Sequence, residues 1–213
     1  MDPGRPAGHG RSAPETQPGG TSARRIFVAV PMPADASASV ASLVEAVQAG
    51  GLPPGGRDVR WVRLDGLHLT VRFLGPVIES RIEATLDAVR DAAAESRPFD
   101  VVIGGAGAFP PSGRPRALWL GIRQGAEDLA ALAAMTDRCL ARRGWDLDER
   151  PYRPHLTLAR SDGVASGAAV AARLEALAAD VEIAFRAGSI GLFESLTGGG
   201  PARYVPLGMA SLG

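Results

Sequence analysis

The chain has 213 residues in which 23 basic side chains balance 23 acidic ones, and every basic one is arginine. The absence of lysine excludes Schiff-base enzymes, serine–lysine dyads, lysyl-adenylate ligases and a lysine-bearing phosphate loop. A net charge of +0 also excludes a global pull on nucleic acid or anionic lipid, so a polyanion site must be a local arginine patch.

In chain order, residues 1–23 contain nine glycines and prolines and no Val, Leu, Ile or aromatic residue, a composition that cannot repay its ordering entropy. This predicts a disordered tail that includes His9, followed by one folded domain over 24–213. Arg25–Val30 reads as a strand closed by Pro31 and Pro33. Ala34–Ala49 then spaces Val40, Leu43, Val44 and Val47 as one face of a helix. After the turn-rich stretch 50–56, Leu67–Leu74 reads as a strand ended by Gly75-Pro76, Glu79–Glu95 as a helix and Phe99–Ile103 as a strand. The second half repeats the order: strand Ala117–Ile122, helix Ala126–Arg143, strand Tyr152–Ala159 and helix Ala168–Ala179. Closing strands follow over Val181–Phe185, Ser189–Glu194 and Arg203–Leu207. Two halves of similar order predict an α+β duplication with helices covering one sheet or two facing sheets.

Lone Cys139 matches no disulfide or zinc spacing and lies in a helical pattern, so it reads as inert. No apolar run approaches the roughly 18 residues of a membrane helix. The expectation is a cytoplasmic monomer with no membrane association, cofactor or obligatory protein partner.

The two histidines of the body sit in closely similar strings, Leu67-His-Leu-Thr-Val71 and Pro154-His-Leu-Thr-Leu158, 87 residues apart. On a strand, His-x-Thr sets an imidazole and a hydroxyl side by side on one face, with Leu69/Val71 or Leu156/Leu158 on the other. Imidazole titrates near neutrality, so one ring can act as neutral base while the other acts as charged acid. The hydroxyls of Thr70 and Thr157 can donate to non-bridging oxygens. That equipment suits metal-free cleavage of a phosphoester, most easily a strained cyclic one. Metal binding is the rival, with Asp65 and Asp162 the carboxylates nearest in sequence, but two histidines without clustered acids or thiolates fall short of a usual site.

With segments such as Arg25-Ile-Phe-Val-Ala-Val30, Leu118-Trp-Leu-Gly121, Arg150-Pro-Tyr-Arg-Pro-His155 and Arg203-Tyr-Val-Pro-Leu207, the paired H-x-T-x motifs resemble the two-histidine (2H) phosphoesterases. Within them, the chain is similar to the RNA 2′,3′-cyclic phosphodiesterase branch, historically called 2′-5′ RNA ligase, over roughly residues 24–207. The resemblance implies a bilobed, pseudo-symmetric α+β fold, with antiparallel-rich sheets around a central cleft and helices outside. It implies hydrolysis of RNA ends or nucleotides carrying a 2′,3′-cyclic phosphate to 2′-phosphomonoesters, with His68 as proton donor and His155 as proton acceptor. It also implies an ATP-independent reverse reaction that forms a 2′-5′ linkage. The family places an aromatic five positions after the first histidine and an arginine five after the second, here Phe73 and Arg160.

Strict alternation puts both of those residues on the wrong face unless each strand ends or bulges there. Alternation instead sets Arg72 beside His68 and Thr70, as a candidate phosphate or RNA ligand. Arg153, Arg114 and Arg116 are further backbone candidates, and Tyr152 and Phe109 are candidate base-stacking rings. Two alternatives stay open: a module that captures RNA or nucleotide ends without turnover, and a 2H enzyme acting on another cyclic phosphate.

Overall fold

The computed structural model describes residues 23–51, 56–147, 150–198 and 200–213. The tail predicted over 1–23 lies outside them except for Ala23, which already belongs to the first strand. The elements are β1 (Ala23–Pro31), α1 (Ala34–Ala49), β2 (Arg60–Trp61), β3 (His68–Ile78), α2 (Ile82–Ala94), β4 (Phe99–Phe109), β5 (Ala117–Gln124) and α3 (Ala126–Ala141). They continue as β6 (Leu156–Arg160), α4 (Gly167–Ala178), β7 (Ile183–Ala187), β8 (Ser189–Leu196) and β9 (Arg203–Ser211). α1 occupies the predicted span and buries the predicted stripe of Val40, Leu43, Val44 and Val47.

Two antiparallel sheets form, one ordered β3-β1-β8-β9 and the other β2-β6-β5-β4-β7. Helices α2 and α3 pack together over the first sheet, and α1 and α4 pack together over the second. The architecture is α+β, bilobed and pseudo-symmetric, but the lobes are not the consecutive halves read from the sequence. β4 leaves the first half by pairing with β5, β8 and β9 return to the first sheet, and each lobe borrows a helix from the other half of the chain. One apolar core runs through both lobes, from Ile26, Val28 and Leu69 to Leu118, Leu156 and Leu174.

Two strand boundaries differ from the sequence expectation for physical reasons. β3 does not stop at Gly75-Pro76 but continues to Ile78 against β1. It is an edge strand, where a proline without an N–H interrupts no ladder on its outer side. Residues 152–155, predicted as the start of a strand, form no ladder, and β6 begins at Leu156. Pro151 and Pro154 supply no N–H to a neighbouring strand.

Candidate active site

Each H-x-T motif is followed at once by an irregularity in its strand. In β3, Thr70 lies opposite Ala29, Arg72 opposite Val28 and Phe73 opposite Phe27, so Val71 is an extra residue. In β6, Thr157 lies opposite Trp119, Ala159 opposite Leu118 and Arg160 opposite Ala117, so Leu158 is extra. A bulge of one residue resets the alternation. Phe73 therefore shares a face with Thr70, and Arg160 shares one with Thr157.

Arg72 is correspondingly displaced from its predicted place beside His68. The bulge turns it to the Val28 side, where its Nε donates to Asp137 of α3 at 2.6 Å, and its Nη2 donates to the other carboxylate oxygen.

The two imidazoles are held alike. His68 Nδ1 lies 2.7 Å from the Gly66 carbonyl oxygen, and His155 Nδ1 lies 2.7 Å from that of Arg153. A carbonyl can only accept, so Nδ1 carries the hydrogen and the neutral ring presents its Nε2 lone pair. When protonated, the same Nε2 is a donor. His68 is enclosed by aromatic rings, with Phe27 and Tyr204 at 4.7 Å and Phe193 at 6.4 Å between centroids. That burial pushes its pKa down, and the Gly66 carbonyl opposes the shift in part. His155 is half-buried, edge-on to Phe109 at 5.3 Å and within 6.4 Å of Trp119. Trp119 lies flat across β4 because position 107 is glycine; a Cβ there would stand 2.4 Å from the indole.

Between the sheets lies a cleft of about 920 Å³ lined by His68, Thr70 and Phe73 from β3 and by Thr157 and Arg160 from β6. His155 is not among the lining side chains. It stands two positions before Thr157, in the extended segment that enters β6. Tyr152 in that segment donates from its hydroxyl to the Thr70 carbonyl at 3.0 Å, tying the second motif to the first. Burial raises the Tyr152 pKa strongly, so this hydroxyl keeps its proton.

Of the other candidates, Phe109 packs against Trp119 and His155, while Arg114, Arg116 and Arg153 lie outside the cleft lining. Asp65 and Asp162, the trial metal ligands, are held by Arg63 and Arg60 respectively. No group of three His, Cys, Asp or Glu that could hold a metal ion occurs among the described residues.

The sequence reading missed Tyr204 and the cleft arginines Arg25 and Arg57. A signal for Arg25 was present, since it alternates in step with Phe27 on β1. Tyr204 approaches His68 beside Gly66, where a Cβ would stand 3.1 Å from its ring. Among the described residues, the lining contains four arginines and no Asp or Glu. In a chain of net charge +0, the arginine patch that composition required is therefore in the cleft.

Comparison with known proteins agrees with this geometry. An RNA 2',3'-cyclic phosphodiesterase of Geobacillus stearothermophilus is 31% identical over 134 residues, which is 63% of this chain and 41% of that protein. The protein of the same name from Aquifex aeolicus (strain VF5) is 31% identical over 102 residues, 47% of this chain and 54% of its own length. The chain thus spans about half the length of these two relatives. The crystal structure of E. coli LigT complexed with 3'-AMP superposes with a TM-score of 0.66 at 28% identity, over 89% of this chain and 98% of that one. The sequence profile of the 2'-5' RNA ligase superfamily matches residues 29–199, and the chain belongs to that family.

Proposed function

We propose that the protein hydrolyses RNA 2′,3′-cyclic phosphodiester ends to 2′-phosphomonoesters with its two histidines as an acid–base pair. The observation that carries this reading is the matched pair of imidazoles, each fixed through Nδ1 to a carbonyl two residues earlier, His68 lining the cleft and His155 two positions before the lining Thr157, with arginines and, among the described residues, no carboxylate in that lining. The names of the curated relatives support the same substrate class.

In the forward reaction, His155 Nε2 takes a proton from water as the water oxygen bonds to phosphorus. The bond from phosphorus to the 3′ oxygen breaks, and His68 Nε2 delivers its proton to that oxygen. The phosphate stays on the 2′ oxygen. Thr70 and Thr157 donate hydrogen bonds to the non-bridging oxygens, Arg160 offsets their charge, and Phe73 stacks on the terminal base. No step in this sequence calls on a metal or a cofactor. His68 must hold its proton when substrate is bound although burial depresses its pKa, and an adjacent phosphate anion favours the protonated ring. Run in reverse, with a 5′-hydroxyl in place of water, the same transfers form a 2′-5′ linkage without ATP.

The test is turnover of an RNA oligomer ending in a 2′,3′-cyclic phosphate by the wild type and by His68→Ala and His155→Ala. Each variant is expected to lose about 10²–10⁴-fold in kcat while keeping the wild-type circular dichroism spectrum. Full activity in either folded variant would sink the assignment.

A further inference from the structure

We propose that the cleft continues past the terminal nucleotide into a second phosphate subsite formed by Arg25 and Arg57, which makes an RNA chain a better substrate than a cyclic mononucleotide. The inference rests on the hydrolase reading above and specifies its substrate.

Two of the four cleft arginines already have assignments. Arg60 is paired with Asp162, and Arg160 stands beside Thr157 on the bulged face of β6. Arg25 and Arg57 remain. Neither meets a carboxylate among the described residues, and Arg25 lies over Phe73, whose ring centroid is 5.2 Å from the guanidinium carbon. Both line one cleft whose described lining contains no Asp or Glu, so the local potential there is positive and favours an anion.

The register of β1 sets how far along the cleft Arg25 stands from the threonines. On the cleft face, Ala29 is opposite Thr70, Phe27 opposite Phe73 and Arg25 opposite Pro76. The floor thus runs from the threonine level, past the exposed Phe73 ring, to Arg25. Four residues of strand cover about 13 Å. Arg57 lines the same cleft from the other side, in the short 3-10 turn Gly56–Asp58 ahead of β2, and β2 pairs with β6.

A 2′,3′-cyclic mononucleotide carries one phosphate, and the threonines and Arg160 take it. Its base covers Phe73, and nothing anionic is left for Arg25 and Arg57. A longer RNA supplies its next phosphodiester on the 5′ oxygen of the terminal ribose, and guanidinium is well suited to phosphate oxygens. The chemistry recognised is therefore an internal phosphodiester of a single-stranded 3′ end.

The experiment compares kcat/KM for adenosine 2′,3′-cyclic phosphate, for the same nucleotide bearing a 5′-phosphate, and for a trinucleotide with a 2′,3′-cyclic end. Each is measured with wild type and with the Arg25→Gln/Arg57→Gln double variant across a salt series. The wild type should prefer the trinucleotide to the unphosphorylated mononucleotide by about tenfold or more, and the double variant should lose most of that preference. Each lost phosphate contact should flatten the log–log salt dependence by about 0.7.

An equal trinucleotide preference in wild type and variant, or none in the wild type, overturns the inference while leaving the hydrolase reading intact. A gain from the 5′-phosphate equal to that of the trinucleotide, lost in the double variant, supports the subsite and places it at the phosphate on the terminal 5′ oxygen, whereas a gain kept by the variant overturns it. Fluorescence anisotropy of a labelled trinucleotide on both proteins reports the subsite without turnover. Weakened binding by the variant, with no hydrolysis of any cyclic end by the wild type, would keep the subsite and reject the hydrolase.

Discussion

His68 and His155 make the same local contact, each with Nδ1 2.7 Å from the carbonyl oxygen two residues earlier, although His68 opens β3 in one sheet and His155 immediately precedes β6 of the other. The likeness continues just past the threonines, where Val71 in β3 and Leu158 in β6 are each an extra residue, although β3 has a second at Leu74. The pseudo-symmetry therefore includes the irregularities as well as the motif: both strands present a third side chain, Phe73 or Arg160, on the face of their threonine.

The bulges predict different consequences for those two side chains. Phe73→Ala removes a stacking surface that is 53% exposed, and stacking is worth about 1–3 kcal/mol per base. The expected result is a KM raised roughly 5- to 100-fold with kcat little changed. Arg160→Ala removes charge stabilisation at the phosphate and should lower kcat by about 10²-fold. Steady-state kinetics on a cyclic-phosphate oligomer separate the two, and a pure kcat defect in Phe73→Ala would contradict its assigned place.

Arg72 gives the opposite expectation. Its ion pair with Asp137 is mostly sheltered, at 16% and 28% side-chain exposure, so Arg72→Met should cost about 1–2 kcal/mol of stability. The kcat of the folded variant should stay within about twofold of wild type. Denaturant melts together with kinetics check this, and a large kcat loss without destabilisation would return Arg72 to the cleft.

His68 makes stability depend on pH. Burial holds its folded pKa below 6.5, so on acidification the unfolded chain takes up the proton first. The contribution of the neutral ring is fully present above about pH 6.5 and is lost as pH falls toward the folded value. Between pH 7.5 and 5.5 the wild type should therefore lose more stability than His68→Leu, with carboxylate effects common to both proteins cancelling. Thermal melts across that range measure it, and parallel pH dependences would show that the ring is not desolvated.

Gly107 supports His155 indirectly. Gly107→Ala would drive a methyl group into the Trp119 indole, an overpacking cost of about 1–3 kcal/mol, and would tilt the ring against which His155 rests. Both melting temperature and kcat should fall. Unchanged kcat would mean that Trp119 plays no part in holding the imidazole.

Much of this was legible in the sequence. The helical stripe of α1 and the H-x-T pairs follow from periodicity, because a side chain's face is fixed by counting while the backbone stays regular. Counting fails where one residue is added. Val71 and Leu158 are ordinary strand residues with nothing to mark them as extra, so Arg72 was assigned to the cleft, and Phe73 and Arg160 could reach it only on condition of a bulge. Gly75-Pro76 misled in the other direction, since a proline stops an interior strand but is tolerated at an edge, and edge position is a property of the whole sheet. The exchange of α1 and α3 between lobes likewise depends on contacts between distant segments that no local pattern records.

The most direct test of the central claim is incubation of the protein with an RNA oligomer ending in a 2′,3′-cyclic phosphate, with EDTA present, and identification of the phosphate position in the product. The two-histidine account predicts complete conversion to a 2′-phosphate with a free 3′-hydroxyl. A 3′-phosphate product, or activity abolished by EDTA, would contradict it.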